Sequence, residues 1–138
     1  MRRIVPDVVS NQQLLELPPT ATVRAAAQAM RERHVGAVLV GENRSLDGIF
    51  TERDMVNRVV AEGRDPDRTT LADVMTAKPD TIAADATAID ALRRMQDGGY
   101  RHLPVVDHGR IVGIISRRDF FGTEMARLEE ESGLWENI

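Results

Sequence analysis

The sequence contains one seven-residue pattern twice, and this duplication restricts the folds open to the chain. The first copy, GIFTERD, ends at Asp54, and the second copy, GIISRRD, ends at Asp119. With an offset of 65 residues, segment 20–55 aligns with segment 85–120 without a gap, and 9 of the 36 positions are identical. Average residue usage gives about two identities by chance. The chain therefore contains two equivalent structural repeats.

Each repeat has an amphipathic helix near its start. Apolar residues recur at positions i, i+3, i+4 and i+7 from Val23 in the first copy and from Ala88 in the second. This spacing indicates one buried helix face. Thr22 and Thr87 precede the two series, so we predict that they are the N-caps of these helices.

The remaining apolar runs predict the same order of elements in both copies: strand, helix, strand, strand, helix. The predicted strands are 14–17, 37–40 and 48–51 in the first copy, and 81–83, 103–106 and 111–116 in the second, with second helices from Glu52 and Arg117. The predicted fold class is α/β. We place repeat 1 at 8–62, a linker with a short helix at 63–78, repeat 2 at 79–122 and a helical tail at 123–138.

The composition disfavours several classes of function. Cysteine is absent, which removes disulfides and cysteine nucleophiles, and the three histidines lack zinc-site spacing. The apolar runs are too short for a membrane span or a signal peptide, so we expect a cytoplasmic protein without a membrane partner. The net charge of -4, with both signs scattered, disfavours nucleic acid. No motif indicates catalysis, so we expect a non-enzyme that requires no cofactor and no metal.

Segment 74–120, VMTAKPDTIAADATAIDALRRMQDGGYRHLPVVDHGRIVGIISRRDF, carries the strongest family signal. With the first copy, it resembles a tandem pair of cystathionine-β-synthase (CBS) domains, or Bateman module, of the stand-alone bacterial type. The resemblance covers about residues 8–122. It implies two repeats packed around a pseudo-two-fold axis, and a homodimer. It also implies that the chain regulates an effector protein, which is unidentified. The first copy departs from the pattern, because GAVL at 36–39 replaces RHLP at 101–104.

The repeated aspartates support two interpretations. Thr51-x-x-Asp54 and Ser116-x-x-Asp119 have the spacing of capping boxes at helix starts. A helix start also offers free N–H groups to a phosphate, and a carboxylate there can accept hydrogen bonds from a ribose. The resemblance implies this second use, with AMP, ADP or ATP bound in clefts between the repeats. We also expect Gly48 and Gly113 to let a flat base approach the backbone closely.

The resemblance predicts two unequal clefts. Arg101, His102 and Arg118 of the second copy are expected to face the Asp54 cleft, whereas Arg53 is the basic residue offered in return. The sequence therefore favours the Asp54 cleft as the better nucleotide site. The residues expected near the base in the Asp119 cleft are Thr81 and Ile82.

Alternatives remain for the ligand and for the tail. The clefts could take NAD, S-adenosylmethionine or a cyclic dinucleotide, or the pair could be a ligand-free scaffold for assembly. In the tail, apolar residues at helical spacing predict a helix that packs on its own module or contacts a partner. These residues are Phe121, Met125 and Leu128, followed by Leu134, Trp135 and Ile138.

Overall fold

The computed structural model describes the backbone of residues 1–136 and the side chains of 1–128 and 130. It divides into two compact units. We call them the repeat-1 unit, Gln13–Pro79 with Gly109–Ile111, and the repeat-2 unit, Met1–Gln12 with Asp80–His108 and the described residues from Val112. Phe121 is exposed, Met125 is half-buried and Leu128 is buried, whereas the predicted roles of Leu134, Trp135 and Ile138 fall outside the described side chains.

The repeat-1 unit contains a four-stranded sheet in the order β1-β2-β3-β4. Its strands are β1 (Glu16–Leu17), β2 (Ala37–Glu42), β3 (Ser45–Thr51) and β4 (Thr76–Ala77), and its helices are α1 (Val23–Arg33), α2 (Glu52–Asp54) and α3 (Leu71–Val74). Strand β1 is parallel to β2, and β3 is antiparallel to both β2 and β4. After α2 the chain continues as a π-type helix over Met55–Val60.

The repeat-2 unit contains a three-stranded sheet in the order β5-β6-β7. Its strands are β5 (Ile82–Ala83), β6 (His102–Asp107) and β7 (Arg110–Ser116), of which the part from Val112 belongs to this unit, and its helices are α4 (Ala88–Gly98) and α5 (Gly122–Glu136). A single 3-10 turn, Arg117–Asp119, lies between β7 and α5. The sequence predicted a helix directly from Arg117. The chain instead becomes extended at Phe120, whose side chain is buried in the core of this unit.

Each unit has its own apolar core, built on the predicted helix faces. The buried members of the core cluster in the repeat-1 unit are Val23, Ala26, Met30, Val38, Val40, Phe50, Val59, Leu71 and Val74. Those of the cluster in the repeat-2 unit are Ile4, Val9, Ile82, Ala88, Ala91, Leu92, Met95, Leu103, Val105, Ile115, Phe120 and Leu128. The threonine caps are confirmed: the Thr22 hydroxyl accepts a hydrogen bond from Ala25, and the Thr87 hydroxyl accepts one from Asp90.

The segments that lead into the two repeats are exchanged between the units. The first, IVPDVVS from Ile4, is similar to the second, LADVMT from Leu71. The Ile4 N–H donates to the carbonyl of Ala86 at 2.8 Å, and the Leu71 N–H donates to the equivalent carbonyl, Ala21, at 2.9 Å. The segment that precedes repeat 1 therefore completes the core of the repeat-2 unit, and the segment that precedes repeat 2 completes the core of the repeat-1 unit.

Among the described residues, the longest helices remain too short or too polar to cross a bilayer. The same part of the chain holds no cluster of three or more acidic, histidine or cysteine side chains that could bind a metal ion.

Candidate functional site

The Asp54 carboxylate lies at the end of β3 and is buried, with 8% of the residue exposed. Its Oδ2 accepts the Thr51 N–H at 3.0 Å and the Thr51 hydroxyl at 3.2 Å. The Asp54 N–H donates in turn to the Thr51 hydroxyl oxygen at 3.2 Å. This reciprocal pair is the predicted capping box, so the structural interpretation of the motif is confirmed in repeat 1.

Two further groups of the repeat-1 unit compensate the buried charge of Asp54. The Thr76 hydroxyl, on β4, donates to Asp54 Oδ1 at 3.3 Å. The Arg58 Nε lies 3.7 Å from the same oxygen and forms an ion pair one helical turn further along the chain. A buried carboxylate is stable only with such partners. Both oxygens of Asp54 are therefore engaged within its own unit.

The Asp119 carboxylate occupies the equivalent position in repeat 2 but is exposed. Its Oδ2 accepts the Ser116 N–H at 2.7 Å, and the Ser116 hydroxyl lies 3.4 Å from the same oxygen. Among the described residues, the hydrogen bonds to the Asp119 carboxylate come from Ser116, and none comes from a threonine like Thr76. Instead, the Gln12 side-chain amide pairs with the backbone of Ile114, donating to its carbonyl at 3.1 Å and accepting its N–H at 2.8 Å. The Asp119 carboxylate thus faces solvent.

Most of the predicted residues of repeat 2 lie at one end of the three-stranded sheet. The Arg117 N–H donates to the carbonyl of Arg101 at 3.1 Å, which places the start of β6 beside the end of β7. Strand β5 runs parallel to β6, with Ile82 opposite Val105, so it begins further along β6. The side chain of Arg94 on α4 binds the Thr81 carbonyl just before β5. The structure therefore brings Arg101, His102, Ser116, Arg118 and Asp119 to one end of the repeat-2 sheet, whereas Thr81 and Ile82 lie at the start of β5.

The predicted residues of repeat 1 are Thr51, Arg53 and Asp54, and they lie together at the end of β3. The pairing of Arg101, His102 and Arg118 with Asp54 joins residues of different units, and it stays a prediction. Ile82 is buried, and it lines a cavity of about 400 Å³ whose other wall is α4, with Asp90, Arg93, Arg94 and Asp97.

The glycines have a different role from the one that we expected. A Cβ at Gly48 would lie 2.6 Å from the Met75 sulfur and 2.7 Å from the Thr76 carbonyl oxygen. At Gly113 it would lie 2.8 Å from Val9 Cγ1 and 2.9 Å from Gln12 Oε1. The expectation of open space for a base at these two glycines is therefore wrong. The missing side chains make room for the exchanged leading segments, which pack directly on β3 and β7.

Arg2 belongs to the surroundings of Asp119, although sequence reasoning did not single it out. Its Nη2 donates to the Asp119 carbonyl at 2.9 Å and to Glu124 Oε1 at 2.7 Å. The hydrogen bond from Arg2 holds the pKa of Glu124 below its usual value. No local pattern reveals this contact, because Arg2 and Asp119 are 117 positions apart in the chain.

Two α/β repeats, each with a hydroxyl–aspartate turn where its sheet ends, define a tandem-repeat module. The sequence model of the CBS domain matches residues 5–61 and 71–124 of this chain. The chain belongs to the CBS domain family, as the sequence resemblance indicated, and the α/β fold class is confirmed.

Relatives and solved structures of this family cover most of the chain. The CBS domain-containing protein YhcV of Bacillus subtilis is 32% identical over 122 residues, which are 88% of this chain and 86% of YhcV. The CBS domain-containing protein CBSCBSPB3 of Arabidopsis thaliana is 36% identical over 84% of this chain, which spans only 21% of that longer protein. A CBS domain protein of Pyrobaculum aerophilum, complexed with AMP, superposes with a TM-score of 0.80 at 26% identity and covers 94% of this chain and 99% of its own.

Proposed function

We propose that this chain is a non-catalytic regulatory module that binds an adenosine-containing ligand, AMP, ADP or ATP, at its hydroxyl–aspartate turns. The observation that carries the proposal is the exposed carboxylate of Asp119, at the sheet end where Ser116, Arg118 and His102 also lie. A carboxylate with hydrogen bonds to only one of its oxygens can still accept hydrogen bonds from the adjacent hydroxyls of a ribose. The AMP complex of the Pyrobaculum protein, which has this fold, supports the choice of ligand.

The proposed ligand residues form two groups. In the repeat-2 unit they are Thr81, Ile82, Arg101, His102, Ser116, Arg118 and Asp119, and in the repeat-1 unit they are Thr51, Arg53 and Asp54. Ligand binding shifts the conformational equilibrium of the module, and an effector protein recognises the favoured conformation. A homodimer and a cytoplasmic location complete the proposal.

A scaffold function is the second candidate, because two large apolar side chains are exposed on one helix. Val56 is 58% exposed and Val60 is 71% exposed, and they are one turn apart on the helix Met55–Val60. Exposed apolar surface is a feature of protein–protein contact sites. In this alternative the turns are capping boxes only.

Calorimetric titration with AMP, ATP, NAD and S-adenosylmethionine tests the proposal. A ligand at one hundred times its Kd stabilises the folded state by about 2.7 kcal/mol, which a thermal-shift assay also detects. Loss of a hydrogen bond to a charged group costs about 1.5–3 kcal/mol, so we expect Asp119→Ala to weaken AMP binding by roughly 10- to 150-fold. Asp54→Ala tests the other turn in the same assay. Comparison of the two variants also tests whether the Asp54 cleft is the better nucleotide site, as the sequence indicates.

The chain supplies a matched control for the aspartate variants. Thr70 and Asp73 form the same capping box at the start of α3, with the Thr70 N–H donating to Asp73 Oδ2 at 3.3 Å. Asp73→Ala removes an equivalent cap at a residue that is not a proposed ligand residue and does not line the cavity beside Ile82, so its AMP affinity should equal that of the wild type. Unchanged affinity in both Asp54→Ala and Asp119→Ala would refute the ribose assignment. Absence of binding by every adenosine compound would favour the scaffold.

A further inference from the structure

The turn that presents Asp119 is short and receives little support from its own residues. It is a single 3-10 turn, Arg117–Asp119, and the chain is extended again at Phe120. By contrast, the Asp54 turn continues into the helix Met55–Val60. A three-residue turn holds few internal hydrogen bonds. The Ser116 N–H orients the Asp119 carboxylate within the turn, whereas the position of the turn itself depends on contacts from other parts of the repeat-2 unit.

Arg2 supplies such a contact. Its Nη2 donates to the Asp119 carbonyl at 2.9 Å, and its main-chain carbonyl accepts the Ala88 N–H at 2.8 Å, at the start of α4. This one residue therefore ties the turn to the beginning of a long, buried helix.

The Arg2 side chain is itself held in place on two sides. Its Nη2 and Nε donate to the two oxygens of Glu124, at 2.7 and 3.3 Å, in a bidentate pair. Its guanidinium carbon lies 3.6 Å from the centroid of the Phe121 ring. Bidentate pairing and stacking restrict an arginine side chain more than a single ion pair does. The Arg2 and Glu124 side chains are only 20% and 13% exposed, so water competes weakly for this pair.

In the repeat-1 unit the position equivalent to Arg2 is occupied by Thr69, which makes different side-chain contacts. The Thr69 carbonyl accepts the Val23 N–H at 2.9 Å, as the Arg2 carbonyl accepts that of Ala88. The Thr69 hydroxyl, however, donates to the nearby carbonyl of Asp65 at 2.7 Å. Asp54 is fixed instead by Thr76 and Arg58 through its own carboxylate. The two turns are thus supported in different ways, and only the contact at Asp119 leaves the carboxylate exposed.

We infer that Arg2 is a positioning residue for the ligand turn of repeat 2: it binds the Asp119 carbonyl and holds in place the turn that presents the carboxylate to the ligand. This inference rests on the proposed function for its ligand. It makes the Asp119 turn a pre-organised acceptor, whereas the Asp54 carboxylate must first release Thr76 and Arg58. We therefore place the tighter adenosine site at Asp119, against the preference that the basic residues indicate in the sequence.

Titrations of the full chain with AMP test the inference. We expect Arg2→Ala to raise the Kd about tenfold, equivalent to about 1.4 kcal/mol. Arg2→Lys keeps the positive charge but cannot pair with Glu124 through two nitrogens. Its Kd for AMP should therefore lie between that of the wild type and that of Arg2→Ala. In the Asp119→Ala background, Arg2→Ala should cause no further loss, because the acceptor that it positions is gone. Independent, additive losses would indicate a merely structural role. Arg24→Ala is the control, since it breaks an exposed ion pair with Asp67 far from the turn in sequence.

A measurement without ligand separates this inference from the proposed function. Amide hydrogen exchange at Phe121, whose N–H donates to Glu124 Oε1 at 2.9 Å, should accelerate about tenfold in Arg2→Ala and in the milder variant Glu124→Gln. The amides of residues 52–54 should be unchanged. Unchanged exchange at Phe121 overturns the inference whether or not AMP binds. Absence of AMP binding to the wild type, with accelerated exchange, refutes the proposed function and leaves the positioning contact standing.

Discussion

At the residue scale, Asp54 and Asp119 show how one motif serves two different environments. Both close a hydroxyl–aspartate turn, but Asp54 is buried and accepts a hydrogen bond from Thr76, while Asp119 is exposed. Burial raises the cost of losing a partner, because water cannot replace it. Substitution by alanine should therefore affect different properties at the two positions. At Asp54 it should mainly lower stability, and at Asp119 it should mainly lower ligand affinity.

We predict that Asp54→Ala lowers the free energy of unfolding by about 2–3 kcal/mol, since it leaves the Thr51 N–H and the Thr76 hydroxyl without their acceptor and removes the ion pair with Arg58. Asp119→Ala should cost only about 0.5–1 kcal/mol, the usual value of a helix cap. Urea unfolding of the two variants, monitored by far-ultraviolet circular dichroism, measures the difference. Equal losses would show that the burial of Asp54 adds nothing to its capping bond.

The sequence predicted the capping boxes correctly, because their partners are three residues apart and local chemistry determines them. It did not predict which aspartate is buried. The burial of Asp54 depends on Thr76, which comes from β4, and the support of the Asp119 turn depends on Arg2. These contacts join distant parts of the chain, so no spacing pattern reports them.

At the scale of elements, the strongly periodic helices and strands were predictable, whereas the exchange of the leading segments was not. The duplication aligns without a gap only from residue 20, because the offset between the two leading segments differs from 65. The hydrogen bonds nevertheless show their equivalence, since Arg3 bridges to Thr87 as Thr70 bridges to Thr22. Segment 63–78 was expected to be a linker with a short helix, and it also supplies β4 and two core residues, Leu71 and Val74.

The glycines that accept these segments allow a test. We predict that Gly48→Ala destabilises the chain by about 1–3 kcal/mol, because the new methyl group would meet the backbone oxygen of Thr76 at 2.7 Å and displace β4. Gly113→Ala should cost less, since Val9 and Gln12 approach it only with side-chain atoms. Thermal unfolding of both variants shows which substitution lowers the stability more.

Gly122→Ala is the matched control for these glycine variants. Gly122 begins α5, and a Cβ there would find open space within 4 Å. Alanine favours the helix over glycine by about 1 kcal/mol, so this variant should be neutral or slightly more stable. Destabilisation by Gly122→Ala equal to that by Gly48→Ala would mean that the contact with β4 does not explain the loss.

At the scale of the whole molecule, the exchanged segments make each unit depend on a part of the chain that precedes the other repeat. Residues 1–12 belong to the repeat-2 unit and bring Ile4 and Val9 into its core. Burial of each such side chain contributes about 1.5–3 kcal/mol. The repeat-1 unit receives its equivalent segment from residues 71–79 and retains it when the first twelve residues are removed.

Deletion of residues 1–12 should therefore destabilise the two units unequally. We predict that the amides of α4 and β6 lose most of their protection from hydrogen exchange, because the core around Ile4 opens, while those of α1 and β2 keep theirs. A synthetic peptide of residues 1–12, added in excess, should restore protection in α4 and β6 by mass action. Equal loss of protection in both units would mean that they unfold as one cooperative body. In that case the dependence of each unit on its exchanged segment would not be a local property of the fold.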